Sequence, residues 1–206
     1  MTTPPSLPPP FSLPLFPLGQ VLYPGGLLPL KIFEQRYLEM TKACLRDNTP
    51  FGVCQIQEGN EVGAPAAHYD IGCIADIIEW DVPHPTLFSL IARGSDRFRV
   101  LRTSTASNGL ITAEIERLAA PSMPEHFDTT CREILRMAIE HTGQQPTEPL
   151  ELDNPVWVSY RLAELLPLSG AEKQQLLAED DTNARLAQLK AAMEHHGIIE
   201  KINKIN

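Results

Sequence analysis

With 206 residues, 43% of them hydrophobic and 21% charged, the chain can bury roughly 70% of its unfolded surface, which excludes wholesale disorder. A formal net charge of −9 disfavours a nucleic-acid partner, since non-specific binding to a polyanion needs a concentrated basic surface. No apolar run approaches the roughly 20 residues of a membrane-spanning helix, and MTTPPSLPPPF has neither the basic start nor the apolar core of a secretory signal.

Residues 1–12 read as a flexible proline-rich leader with polyproline II character. The stretch Leu13 to Tyr37, LPLFPLGQVLYPGGLLPLKIFEQRY, then alternates β-compatible apolar residues with prolines. Pro14, Pro17, Pro24 and Pro29 donate no N–H, so the spacing predicts short edge strands rather than a regular central strand. Pro24-Gly25-Gly26 predicts a sharp turn between them. From Glu34 to about Arg46, Tyr37, Leu38, Thr41, Cys44 and Leu45 fall on one helical face.

Strand and turn signals follow. Phe51 to Ile56 reads as a strand closing at Glu58-Gly59-Asn60, and residues 61–70 as a loop. A long strand is expected from about Ile71 to Val82, reversing at Pro83-His84-Pro85 into Leu87 to Arg93. Gly94-Ser95-Asp96 predicts another turn into Arg97 to Thr105, and Ser107-Asn108-Gly109 a hairpin before Leu110 to Leu118. Such closely spaced strands imply a small antiparallel barrel or a pair of packed sheets.

After Pro121 helical periods replace alternation. Phe127, Cys131, Ile134, Leu135 and Ala138 form a stripe ending near Gly143. A polar linker, QQPTEPLELD, leads to Asn154-Pro155, a cap with proline in the first helical turn. Trp157, Tyr160 and Leu162 to Leu166 belong to that helix. Ser169-x-x-Glu172 fits a capping box. A last helix is expected from Asp181-Thr182, with Leu186, Leu189 and Met193 on one face, stopping at Gly197. The expected domains are therefore 13–120, β-rich, and 121–206, helical.

Little in the sequence points to chemistry. No Gly-x-x-x-x-Gly-Lys-Ser/Thr loop is present to wrap a nucleotide's phosphates. Cys44, Cys54, Cys73 and Cys131 lie far apart, as buried thiols of a reducing cytoplasm would, so a cytoplasmic location is expected. A thiol nucleophile at Cys54 or Cys73 with His68 as base is the best enzymatic candidate, though inert burial is favoured. His68, Cys73 and His84 match no compact metal signature, so no metal or other cofactor is expected. His195 and His196 point in different directions on a helix and favour its dipole. Asp76 with Glu79, and Asp180 with Asp181, suggest acid–base pairs, with surface carboxylates, or Asp76 partnering Arg97 or Arg99, as the favoured alternative. Glu34 is read as stabilising a helix start, Arg36 as a surface pair and Tyr37 as inward-packed. RNA binding requires Arg93, Arg97, Arg99 and Arg102 to share one exposed face.

The order Leu13-Pro14-Leu15, Pro17-Leu18, Pro24-Gly25, Pro29-Leu30 resembles the opening of the Lon protease N-terminal, substrate-binding domain. Ile32-Phe33-Glu34-x-Arg36-Tyr37 is similar to the branch found in stand-alone bacterial members of that family. The resemblance continues through Gly72-Cys73-Ile74-Ala75-Asp76-Ile77 and Gly94-x-x-Arg97-Phe98-Arg99-Val100. Leu162 to Leu177, LAELLPLSGAEKQQLL, is similar to the helical part that follows in Lon. The resemblance implies an α+β fold: a β-rich, antiparallel, barrel-like (PUA-like) part with one inserted helix, then a helical bundle. It also implies a module without the ATPase and protease domains, recognising unfolded polypeptide or partner proteins.

Holding such a client requires exposed apolar surface or a free strand edge. The candidates for an apolar patch are Phe16, Tyr23, Leu27, Trp80 and Phe88, with core burial the competing reading for each. The alternative function is a small-molecule or thiol-dependent enzyme using a cleft between the two halves. The oligomeric state is left open.

Overall fold

The computed structural model describes residues 8–63, 66–84, 86–124, 127, 129–142 and 149–197. Most of the expected leader, the helix stop at Gly143, the first part of the polar linker and Pro85 of the expected reversal lie outside the described residues. The elements run β1 (Phe11–Leu18), β2 (Leu27–Ile32), α1 (Gln35–Asp47), β3 (Phe51–Glu58), β4 (Ala67–His84), β5 (Leu87–Thr105), β6 (Ile111–Arg117), α2 (Thr129–Thr142), α3 (Pro155–Leu165), α4 (Gly170–Ala178) and α5 (Thr182–His195). The chain divides into two compact units after Ala119.

In the first unit the strands form one mixed sheet of order β2-β5-β4-β3-β1-β6, with β5 also pairing to β6. It is not purely antiparallel: β1 runs parallel to β3, from Leu15 opposite Gly52 to Leu18 opposite Gln55. β2 and α1 lie between those two strands in sequence and form the long crossover that parallel pairing needs. Nor is it a closed barrel. Among the described residues β2 pairs with β5 alone, which leaves its other side a free edge.

Pro14 and Pro17 are not on an edge strand, because β1 sits between β3 and β6. Phe11 to Leu15 pair with β6, whereas Leu15 to Leu18 pair with β3. Each half thus has one partner, and a missing N–H is tolerated on the side without one. Pro29, by contrast, lies on the true edge, opposite Ile91.

Gly94 does not open a turn; β5 continues through it. The pairing with β4 slips between Cys73 and Ala75, leaving a bulge there. The loop before β2 packs against this point. Tyr23 to Gly26 make a type II turn in which Gly26 donates to the Tyr23 carbonyl at 2.9 Å and Gly25 takes φ 75°. Gly94 receives this turn so closely that a Cβ would fall on the Tyr23 carbonyl.

Two cores result. α1 lays Tyr37, Leu38, Met40 and Cys44 over Leu28, Leu30 and Ile32 of β2, Phe88, Leu90 and Ala92 of β5, and Phe16 of β1. A second core gathers Leu13, Leu15, Cys54, Ile74, Phe98, Ile111, Ala113 and Ile115 from five strands. Arg36 is buried rather than a surface residue. It pairs with Glu34 at 3.0 Å, donates to the Gly109 carbonyl at 3.3 Å and stacks over Tyr37. Glu34 stands at the helix start, but its side chain does not cap it.

In the second unit, α3 packs against α2, α4 and α5, so the helices form a cluster around one short member. The caps follow the sequence. Asn154 accepts from the Val156 and Trp157 amides ahead of α3, and Ser169 and Glu172 complete a capping box on α4. Asp181 accepts from Asn183 at the start of α5. Two arginines are fully buried. Arg185 donates to the Leu176 carbonyl at 3.0 Å and to the Ser159 hydroxyl at 3.1 Å, and lies over the Tyr160 ring. Arg161 pairs with Glu164 at 2.8 Å.

Candidate polypeptide-binding surface

Burial divides the five apolar candidates. Phe16, Tyr23 and Phe88 are in the core and leave the set of exposed residues. Phe16 stacks on Tyr37 with ring centroids 4.0 Å apart, Tyr23 backs onto Gly94, and Phe88 lies opposite Ile32. Leu27 and Trp80 are 47% and 58% exposed. Trp80 is outside because β4 outruns its neighbour. Pairing with β3 ends at Ala75, so from Asp76 onward β4 has β5 alone, and Ile78, Trp80 and Val82 all remain exposed.

A groove of about 240 Å³ opens beside β2. Pro29, Leu30, Lys31 and Ile32 all line it. Neighbouring strand residues point to opposite faces, so a groove touched by four in succession runs along the strand's edge. Its floor is the outer margin of the α1 core, at Phe16, Leu18 and Tyr37. Phe33 and Val62 stand at its rim, 59% and 57% exposed. Neither was among the sequence candidates. The available signal was a lone valine in the polar run Glu58 to Gly63 and a phenylalanine at a strand–helix junction.

Charge around this groove is sparse. Glu61 accepts the Gly19 amide at 2.6 Å, and Glu34 is held by Arg36. Lys31 has no ion-pair partner among the described residues and lies opposite the neutral Ser89. Burial pushes the Tyr37 hydroxyl above its ordinary range; Arg36 opposes that shift, and the Glu34 and Glu61 carboxylates add to it.

Reactive groups do not converge here or elsewhere among the described residues. All four cysteines are buried, and burial raises the Cys44 and Cys54 thiols, so a thiol enzyme lacks an exposed nucleophile. Among the described residues no three His, Cys, Asp or Glu side chains gather to hold a metal. Asp76 faces Arg93 across β5 rather than Arg97 or Arg99, and a register slip separates it from Glu79. Glu172 and His195 line a hollow of about 420 Å³ against α4 and α5. The Glu172 carboxyl is committed to Ser169, which holds it below the usual carboxylate range. The four arginines of the RNA reading do not share one exposed face. Arg97 is buried on the Ala119 carbonyl, Arg102 pairs with Glu114, and Arg99 lies opposite Glu116.

The sequence profile of the ATP-dependent protease La (LON) substrate-binding domain matches residues 12–195. The chain belongs to the Lon substrate-binding domain family. The Lon protease of Anaeromyxobacter dehalogenans is 28% identical over 209 residues, covering 96% of this chain and 25% of that protein. The Lon protease of Escherichia coli K12 is 25% identical over 198 residues, covering 89% and 24%. The chain thus spans about a quarter of the length of the curated relatives it matches. Among solved structures, a Lon N-terminal domain protein from Xanthomonas campestris is 38% identical with a TM-score of 0.71, covering 88% of this chain and 98% of that one. The N-terminal domain of the Mycobacterium avium complex Lon protease, at 16% identity and a TM-score of 0.60, covers 89% and 97% and shares the fold. No described helix of this Lon-family domain is long and apolar enough to cross a membrane.

Proposed function

We propose that this chain is a non-catalytic polypeptide-recognition module that holds unfolded or extended segments against apolar surface on its first unit. The edge groove carries the reading. At about 240 Å³ it falls below the roughly 300–1,000 Å³ of small-molecule sites, yet it is long enough to touch four consecutive strand residues. Apolar side chains form its floor and rim, and its charged groups are engaged structurally or stand singly. Leu27 and Trp80 extend the apolar surface available to a client.

Membership of a family named for substrate binding supports the same reading, as does the lack of a nucleotide-binding loop in these 206 residues. The test is fluorescence anisotropy with the full chain and a panel of labelled, permanently unfolded proteins. Dissociation constants in the micromolar range are expected, as for weak, transient contacts. Phe33→Asp and Val62→Asp should each weaken binding while leaving the fold intact. Absence of binding across the panel overturns the proposal.

A further inference from the structure

We propose that the groove takes its client as an added β-strand on β2, with apolar residues at alternate positions and a carboxylate beside Lys31. This rests on the polypeptide-recognition reading and specifies its mode. β2 alternates strictly: Leu28, Leu30 and Ile32 are buried, whereas Leu27, Pro29 and Lys31 are exposed. A strand laid on the free edge continues both rows. Its inward side chains rest on the floor formed by Phe16 and Leu18; its outward ones stand beside Pro29 and Lys31.

The edge is usable because of where its proline falls. Proline is accommodated on an edge strand with its missing N–H on the unpaired side. Leu27 and Lys31 share that parity, so their N–H groups, together with the carbonyls of the same row, face the free edge, with Pro29 and Lys31 at the groove itself. Pro29 leaves one rung without a donor and so limits the length of strand that pairs, as edge prolines do against aggregation.

Charge selects the outward row. Lys31 meets neutral Ser89 on β5, so a client residue on its other side supplies its first charged cross-strand neighbour. On the groove side, Glu61 presents a carboxylate whose second oxygen has no partner among the described residues. An acidic residue in the inward row is therefore disfavoured. The recognised segment reads apolar–acidic–apolar in extended form.

The test uses the full chain and a labelled, end-capped octapeptide alternating threonine with valine, with glutamate at the central outward position. Two further peptides carry N-methyl groups on all residues of one parity or of the other. One methylated peptide should lose roughly tenfold in affinity or more, since its methyls block the rungs to β2, and the other should bind like the parent. Replacing the glutamate with lysine should weaken binding about two- to fivefold, and Lys31→Gln should erase that difference. Equal behaviour of the two methylated peptides overturns strand addition. If unfolded proteins bind but none of the octapeptides does, strand addition falls and the broader recognition reading stands. If neither binds, both fall.

Discussion

The carbonyl of Gly94 accepts the Gly25 amide at 2.7 Å, and the Gly94 amide returns a bond to the Gly26 carbonyl at 2.9 Å. This reciprocal clamp fastens the loop before β2 to the middle of β5, and so sets where the free edge of β2 begins. A Cβ at position 94 would meet the backbone carbonyl and carbon of Tyr23, neither of which can swing away. Gly94→Ala should therefore destabilise the first unit by about 2–4 kcal/mol, from overpacking and weakened hydrogen bonds together. A denaturation midpoint unchanged from wild type would contradict this account.

Fold and groove respond to different substitutions. Phe16 is buried against Tyr37 and Phe51, so Phe16→Ala should cost about 3–5 kcal/mol. Val62 is exposed on a loop, so Val62→Asp should change stability by no more than about 0.5 kcal/mol. Thermal melts compare the two; comparable losses would mean that Val62 belongs to the core rather than the rim.

The proline–glycine turn, the helix caps and the inward Tyr37 were legible because each depends on residues within one turn of chain. The position of β1 was not. Its prolines signal an edge, and only the register shows that β1 is an edge on alternate sides in its two halves. Gly94 looked like a turn because a glycine needed for close backbone approach has the same one-letter signature as one needed for reversal. Arg36 reads as a surface pair and Arg97 as a partner of Asp76 or part of an exposed basic face, because nothing local reveals the distant Gly109 and Ala119 carbonyls that receive them. The groove was hidden for the same reason: Phe33 and Val62 line it together although they lie far apart in sequence.

Thiol chemistry offers an independent check on the non-catalytic reading. Burial raises the Cys44 and Cys54 thiols, and all four cysteines are buried. Iodoacetamide should label none of them on the timescale of a free thiol in the native chain, and all of them after denaturation. Rapid labelling of one native cysteine would revive a thiol mechanism.

Arg185 anchors the second unit. Its guanidinium serves the Leu176 and Glu179 carbonyls and the Ser159 hydroxyl, and lies 4.3 Å from the Tyr160 ring centroid. Arg185→Met fills much of the space but leaves those acceptors buried and unserved, at a cost of about 3 kcal/mol or more. Arg185→Lys should recover little, because a single ammonium cannot reproduce the planar fork. Full stability in the lysine variant, read from urea midpoints, would show that charge alone suffices.

Glu164 gives the second unit a pH dependence of definite sign. Burial pushes its carboxyl from 4.5 up to about 7, while Arg161 at 2.8 Å and Lys173 pull it down. A carboxyl whose folded value lies above its unfolded one binds its proton more tightly in the native state. Its contribution is therefore fully present below about pH 4.5 and is lost as pH rises through about 7. The melting temperature of the wild-type chain should fall across that window more steeply than that of Glu164→Gln, which carries no titrating group there. The comparison concerns slopes, since glutamine also removes the counter-charge of the buried Arg161 and so lowers the absolute stability. Parallel slopes in the two proteins would mean that Arg161 outweighs burial and keeps the carboxylate ionised throughout.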